Sequence, residues 1–400
     1  MGRFVFAGIA VVLAWAAAGA STGTAVLILG MRQGPRQAAL GGAGAALPDA
    51  ARSARFNPAL PGLSFPGGSG AVAWHSSWRD TPITGYRAKD WNGPALPMID
   101  DAGPMYGSLL FRWPALYLPR YGYLAYDRQT LAPGPGFGDI DEEVHTLTLA
   151  TAGDFLASGP GEPGIWEWTL GLTAKYWSSQ LQGSTLVGGL YDLEAEGVAI
   201  DFGWAGRLAG LGFLPRVAQT FGISFLNIGT DAEYSGLSAG GKAGADPIPM
   251  EYRLGWSADW EVFERKIFLG RAWAPLRVLA ALEAGKEFAN RDSDQRPLSP
   301  PASFAREFRS FPTRYLGEMS THAGLEAAFM EMASLRWGRM GLSESGGDED
   351  YWFVGYGLAT GPLLRGMGIS WDYSRQLSTR HTHGGLFPTR EYAFELRFKF

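Results

Sequence analysis

The residues of this chain that could do chemistry are few and scattered. Histidine occurs at positions 75, 145, 322, 381 and 383, and only His381 and His383 form a close pair. In an extended segment their rings would share a face, yet two imidazoles are fewer ligands than a metal site needs. His75 and Ser77 share a strand face in the same way, and no acid can be assigned to complete a hydrolytic triad. Cysteine is absent, which removes disulfides, thiolate metal sites and cysteine catalysis. No phosphate-binding loop, dinucleotide fingerprint or zinc-protease motif is present. The expectation is a chain with no catalytic residues, no metal and no cofactor. A net charge of −5 without a basic, aromatic-interleaved stripe also argues against nucleic-acid binding. The acidic runs Asp141-Glu142-Glu143 and Asp348-Glu349-Asp350 are expected to be solvated outer loops, with divalent-cation bridging as the alternative.

What the sequence does hold is alternation. From Glu391 to Phe400, the residues Tyr392, Phe394, Leu396, Phe398 and Phe400 point one way, while Glu391, Glu395, Arg397 and Lys399 point the other. Ten residues of period two match a tilted membrane-spanning strand. On a soluble sheet edge such an apolar row would invite aggregation. The pattern recurs upstream, as in Trp166 to Tyr176, Val198 to Trp204, Tyr252 to Trp260 and Trp352 to Leu358. Roughly fourteen such segments can be marked, an even number as bacterial barrels have. Links between them look alternately long and short, the long set including 80–103, 128–142, 179–194 and 289–319, with 261–274 as an extended short-side turn. The expected fold is all-β, a transmembrane antiparallel barrel. With 15 Trp and 56 Gly among 400 residues, composition leans the same way, since barrels use interfacial aromatics and need Gly where the chain is crowded.

The inward positions mix signs: Glu167, Lys175, Asp201, Glu251, Arg253, Asp259, Arg277, Glu283, Glu326, Arg336, Asp372, Glu395 and Arg397. A pore selective for one ion sign would show one dominant charge. Mixed charges can pair across a narrow space, where an unpaired charge is costly, so the lumen should be plugged or constricted. Residues 1–20 read as a secretion signal: Arg3, an apolar run from Phe4 to Ala18, then Ala18-Gly19-Ala20. This gives three parts, a signal over 1–20, an N-terminal plug over 21–65 and the barrel over 66–400. Both termini should then face the periplasm, with outer-membrane lipid and lipopolysaccharide around the wall.

Two resemblances add to this. The terminal aromatic strand from Tyr392 to Phe400 resembles the signal read by the outer-membrane barrel assembly machinery. Further upstream come Leu27-Ile28-Leu29-Gly30, Arg36, the Ala38 to Ala46 stretch with Gly41 and Gly42, Asp49, and Asn57-Pro58-Ala59. Taken in order, this set resembles the PorV/PorQ group of the FadL-like outer-membrane superfamily. Leu60 stands where the group has Gly, a single Asp49 replaces an acidic pair, and the opening aromatic is missing. The resemblance covers about forty residues and implies a fourteen-stranded barrel whose N-terminal segment is a hatch. It implies a non-enzymatic role in protein secretion or surface attachment of the type IX kind, with secreted cargo as partner. The alternative is FadL-like transport of fatty acids or other hydrophobic small molecules. Phe304 to Phe311, with Arg306 and Arg309, could suit an amphiphilic acid or a partner protein equally.

Overall fold

The computed structural model describes residues 26–30, 34–49, 52–63, 71–80, 107–112, 115–118, 122–131, 139–155, 166–184, 190–211, 214–237, 245–268, 271–288, 299, 302–303, 305–306, 319–344, 347–360, 367–377 and 390–399. The expected secretion signal, the His381–His383 pair, Phe400 and most of Phe304 to Phe311 lie outside them.

Alternating sequence becomes alternating burial because a strand turns successive side chains to opposite faces. The wall is built from β1 (Ala71–Asp80), β2 (Gly107–Arg112), β3 (Ala115–Leu118), β4 (Gly122–Leu131), β5 (Asp139–Phe155), β6 (Trp166–Ser184), β7 (Leu190–Leu211) and β8 (Leu214–Gly229). After the short strands β9 (Ala232–Glu233), β10 (Ser235–Leu237) and β11 (Ala245–Asp246) it continues with β12 (Met250–Glu261). A hairpin of β13 (Lys266–Phe268) and β14 (Arg271–Trp273) leads to β15 (Leu276–Phe288) and β16 (Ser320–Phe329). The wall ends with β17 (Ala333–Glu344), β18 (Gly347–Ala359), β19 (Met367–Leu377) and β20 (Arg390–Lys399).

Each wall strand pairs antiparallel with its sequence neighbours, and β1 pairs with β20 from Ala71 opposite Lys399 to Asp80 opposite Arg390. The sheet therefore closes on itself and has no free edge. Sixteen strands belong to it. Because β2 and β3 lie end to end between β1 and β4, and β10 continues the line of β8 beside β7, the described wall has 16 − 2 = 14 positions. The rim where Ala71 meets Lys399 is here called proximal, and the rim where Asp80 meets Arg390 distal.

The outer face is apolar and bare. Val198 is 54% exposed, Leu149 50%, Leu335 61% and Leu358 55%, and Ile200, Leu172, Leu325 and Trp337 extend the same band. Water would not tolerate a band this large on a monomer; lipid removes the cost. Among the described residues no helix is long and apolar enough to cross a membrane. The chain is a transmembrane antiparallel β-barrel with a plugged lumen, the plug being the segment from Val26 to Leu63.

Two expectations about loops need correcting. Asp141-Glu142-Glu143 lies inside β5, and Asp348-Glu349-Asp350 inside β18. Strands β5, β6 and β7 run for 17, 19 and 22 residues, about twice what a bilayer crossing needs. They rise past the lipid on the distal side, where outward positions such as Asp141, Gln180 and Glu194 turn polar while the inward Val144, Trp177 and Ala195 stay buried. Only 345–346 separate β17 from β18, so the long-short alternation of links fails there. Cross-strand pairing continues instead, with Gly341 opposite Asp350 and the Arg339 guanidinium donating to Asp350 at 2.7 Å.

Candidate functional site: the filled lumen

The lumen is occupied by the chain's own N-terminal segment, and the sequence explains its turns. Pro35 starts a short helix, Pro35–Ala39, where a missing N–H costs nothing. The helix stops because Gly41 and Gly42 are left-handed, at φ 73 and 84, with their N–H groups returning to Ala38 O (3.0 Å) and Gln37 O (2.8 Å). Asn57 makes the next corner. Its Oδ1 accepts the Ala59 N–H, while its Nδ2 donates to Ala45 O at 2.9 Å and to Trp204 O at 3.0 Å. One buried amide thus ties the segment to itself and to the wall.

The wall makes room by omitting side chains. A methyl on Gly338 would collide with the backbone of Leu40 and Gly41, on Gly324 with Leu40, on Gly222 with Ala45, on Gly171 with Pro58, and on Gly203 with Asn57. These glycines occupy inward positions of five strands; at four of them the plug backbone lies directly on the wall backbone, and at Gly203 the Asn57 amide does. Beside them, wall hydroxyls satisfy plug carbonyls: Thr169 donates to Ala59 O (2.7 Å), Ser224 to Phe56 O (2.8 Å) and Ser257 to Ala46 O (2.6 Å). Glu283 accepts the N–H groups of Gly44 and Ala45 at 2.7 and 2.6 Å. His322 Nδ1–H donates to Gly41 O at 2.7 Å. Buried backbone polar groups require such partners.

Toward the proximal rim the contacts are ionic. Arg36 meets Glu326 side-on through Nε (2.9 Å) and Nη2 (2.8 Å). Glu326 also accepts from Arg336, which reaches Asp372 at 2.6 Å. Asp49 stands 3.9 Å from Arg36 and accepts the Gln37 amide. Burial works against the charge of Arg36, and the Glu326 and Asp49 carboxylates more than offset it, so the guanidinium holds its proton above the ordinary value. Farther up the lumen Arg253 pairs with Glu251 and Glu283, and Lys175 with Asp201; at the proximal end Arg277 pairs with Asp259 and Arg397 with Glu395. A cavity of about 410 Å³ at this end is lined by Arg36, Arg207, Arg277, Asp259, Glu326 and Asp372 among others. Its charged lining makes it a watery vestibule.

Toward the distal rim the contacts are apolar. The helical turn Leu27–Gly30 presses Ile28 and Leu29 into a nest with Val26, Val144, Trp177, Ala195, Ala199, Ala232 and Ile248. Glu142, Ser179, Tyr234 and Asn227 are among the polar groups that border it. Glu142, 1% exposed, accepts the Ile28 N–H at 2.7 Å and the Ser179 hydroxyl at 3.2 Å. Ser179 also bonds Tyr234, 3.2 Å away, whose oxygen takes a backbone hydrogen bond from Val26. Burial pushes the Tyr234 hydroxyl above its ordinary pKa, and the nearby Glu142 and Asp246 charges push the same way. A bulge in β8 puts Asn227 in the left-handed region at φ 57, where its amide donates to Leu29 O and Pro249 O.

The sequence-derived residues distribute as follows. Arg36, Gly41, Gly42, Asp49, Asn57, Pro58 and Ala59 all lie in the plug, at the contacts just described. Gly30 is exposed, and a side chain there would meet only Pro249 at ordinary contact distance. On β20, Phe394 and Phe398 face outward at 41% and 37% exposure, Leu396 is half-buried, and Tyr392 packs on Tyr373. His145 sits on the outer face of β5, 2.7 Å from Glu143 and bonded to Tyr126. No cluster of three metal-ligating side chains exists among the described residues. Sequence reading missed the distal nest and the work of the wall glycines, although Gly203, Gly222 and Gly355 stand on the inward phase of alternating strands, a signal open to reading.

A closed fourteen-position wall with a polar interior and a folded-in N-terminal segment defines a plugged membrane barrel. No protein-family model matches the sequence, and no curated protein is similar to it in sequence. Solved structures of outer-membrane proteins align along nearly their whole length. The ΔS2S3 mutant of the TodX monoaromatic hydrocarbon channel aligns at TM-score 0.50 and 10% identity, over 92% of this chain and 97% of that one. The Pseudomonas putida toluene transporter TodX gives 0.47 at 11% identity over 92% and 97%, and a Pseudomonas aeruginosa FadL homologue 0.43 at 12% over 96% and 99%.

Proposed function

We propose that this protein is an integral barrel of a bacterial outer membrane that admits small hydrophobic molecules, with residues 21–65 as its hatch. Both termini face the periplasm, so the proximal rim is periplasmic and the distal rim faces outward. The observation that carries this reading is the distal nest. Among the apolar clusters described inside the barrel it has the most members, and the chain fills it with its own Val26, Ile28 and Leu29. Apolar pockets with a few placed polar groups are the usual form of small-molecule sites. The TodX structures, described as those of a toluene transporter and monoaromatic hydrocarbon channel, share the fold; this is support by analogy, since fold alone does not carry function. The test is uptake of an apolar dye, N-phenylnaphthylamine, into cells whose outer leaflet is lipopolysaccharide. Cells making the folded protein should take it up faster than cells making an unrelated barrel at equal abundance, and equal rates would end the reading.

A second reading, secretion or surface attachment of the PorV/PorQ kind, rests on the motif from Arg36 to Ala59. Its residues have packing work inside the lumen, which accounts for them without a cargo. The discriminating measurement is co-purification from outer membranes: a stably bound secreted protein favours this second reading, bound apolar small molecules the first. Lipopolysaccharide and the barrel assembly machinery, which would meet β20, are the partners common to both.

A further inference from the structure

The distal nest also specifies what kind of hydrophobic molecule it takes. We infer that it selects ligands carrying a hydrogen-bond donor, such as an alcohol, phenol or ammonium group, and rejects carboxylates, because Glu142 is its polar floor. This rests on the transport reading above. The turn Val26–Leu29 now stands in the site as a surrogate ligand: apolar side chains in the nest, and backbone N–H groups from Ile28 to Glu142 and from Val26 to Tyr234. Val26 is held at φ 58, a conformation a β-branched residue adopts only under strain, so the surrogate is seated at a cost and can yield. A ligand displacing it removes the Ile28 N–H from a carboxylate that is 1% exposed. A buried acceptor left without that donor is penalised heavily, and the incoming molecule must supply one. A hydroxyl or ammonium group does so. A carboxylate would instead set a second anion beside Glu142, with the Asp246 charge also acting on this corner, and like charges at short range disfavour each other strongly. Of the two cations beside Ile28 and Leu29, Lys175 is bonded to Asp201 (2.8 Å) and to Asn227 Oδ1 (2.6 Å), and Arg55 shares its side of the lining with the Asp127 carboxylate.

The experiment is calorimetric titration of the full protein in lipid nanodiscs with toluene, benzyl alcohol, benzylamine and benzoate, which share a ring and differ in head group. Benzyl alcohol and benzylamine should bind at least about tenfold tighter than benzoate, the scale of one lost charge-assisted hydrogen bond. In Glu142→Gln the gap should close to within about threefold, because the amide both donates and accepts, whereas Glu194→Gln, on the outer face of β7 and away from the nest, should keep the native ranking. Heat-modifiable migration on gels checks that each variant is a closed barrel, and the native ranking needs no variant at all. Benzoate binding as well as benzylamine to the native protein would overturn the inference, as would a Glu142→Gln ranking identical to the native one. Failure of all four probes, toluene included, would instead overturn the transport reading on which it stands.

Discussion

The two ends of the plug are held by different physics. At the proximal end Arg36 enters a chain of buried charges, Glu326, Arg336 and Asp372. At the distal end Val26 to Leu29 rest in an apolar nest with a few backbone hydrogen bonds. Pulling Arg36 out would take from the buried Glu326 one of its two guanidinium partners, and breaking a buried pair on one side costs kilocalories. Pulling Ile28 out costs apolar burial, which any other apolar occupant can restore. The lesson is that one short segment can be bolted at one end and exchangeable at the other.

Mutations can break or sharpen this contrast. The largest loss is expected for Glu326→Ala, which leaves Arg36 and Arg336 facing each other; urea unfolding in lipid, read by gel migration, should show a loss of about 3–5 kcal/mol. A cost under about 1 kcal/mol would remove the basis for calling the proximal end fixed. Gly338→Ala should follow at about 2–3 kcal/mol by overpacking, and the same change at Gly30, where space is open, should be near neutral. Asn57→Ala leaves Ala45 O and Trp204 O without their donor, and about 2 kcal/mol is expected. Truncation at the distal end should cost less: Ile28→Val about 1 kcal/mol, and hydrogen exchange should show the Ile28 amide opening more readily than those of Gly44 and Ala45. If Ile28 exchanged as slowly as Gly44, the two ends would be equally fixed.

Much of the wall was legible from period two. Tyr392 to Phe398, Val198 to Phe202 and the inward charges fell where alternation put them, because lipid outside and a private interior impose opposite demands on neighbouring residues. Glu142 was not legible. Above the lipid both faces of β5 are wet or packed on the plug, so an inward acid and outward acids read alike as a charged loop. Asn227 was hidden for another reason: a bulge shifts the phase of β8 by one residue, and no local residue type announces it. The motif around Arg36 and Asn57 pointed to the plug by resemblance, while its partners, Glu326 on β16 and Trp204 on β7, are hundreds of residues away in sequence and only topology unites them.

The backbone-on-backbone seat at Gly171, Gly222, Gly324 and Gly338 has a consequence for how such a chain can drift. Elsewhere a wall residue can be exchanged for one slightly larger while its neighbours adjust by degrees. At these four positions there is no intermediate step, since the first added carbon already meets main chain, which cannot be trimmed by a substitution across the interface. Descendants of this sequence should therefore vary freely in what the plug displays and hardly at all in where it touches.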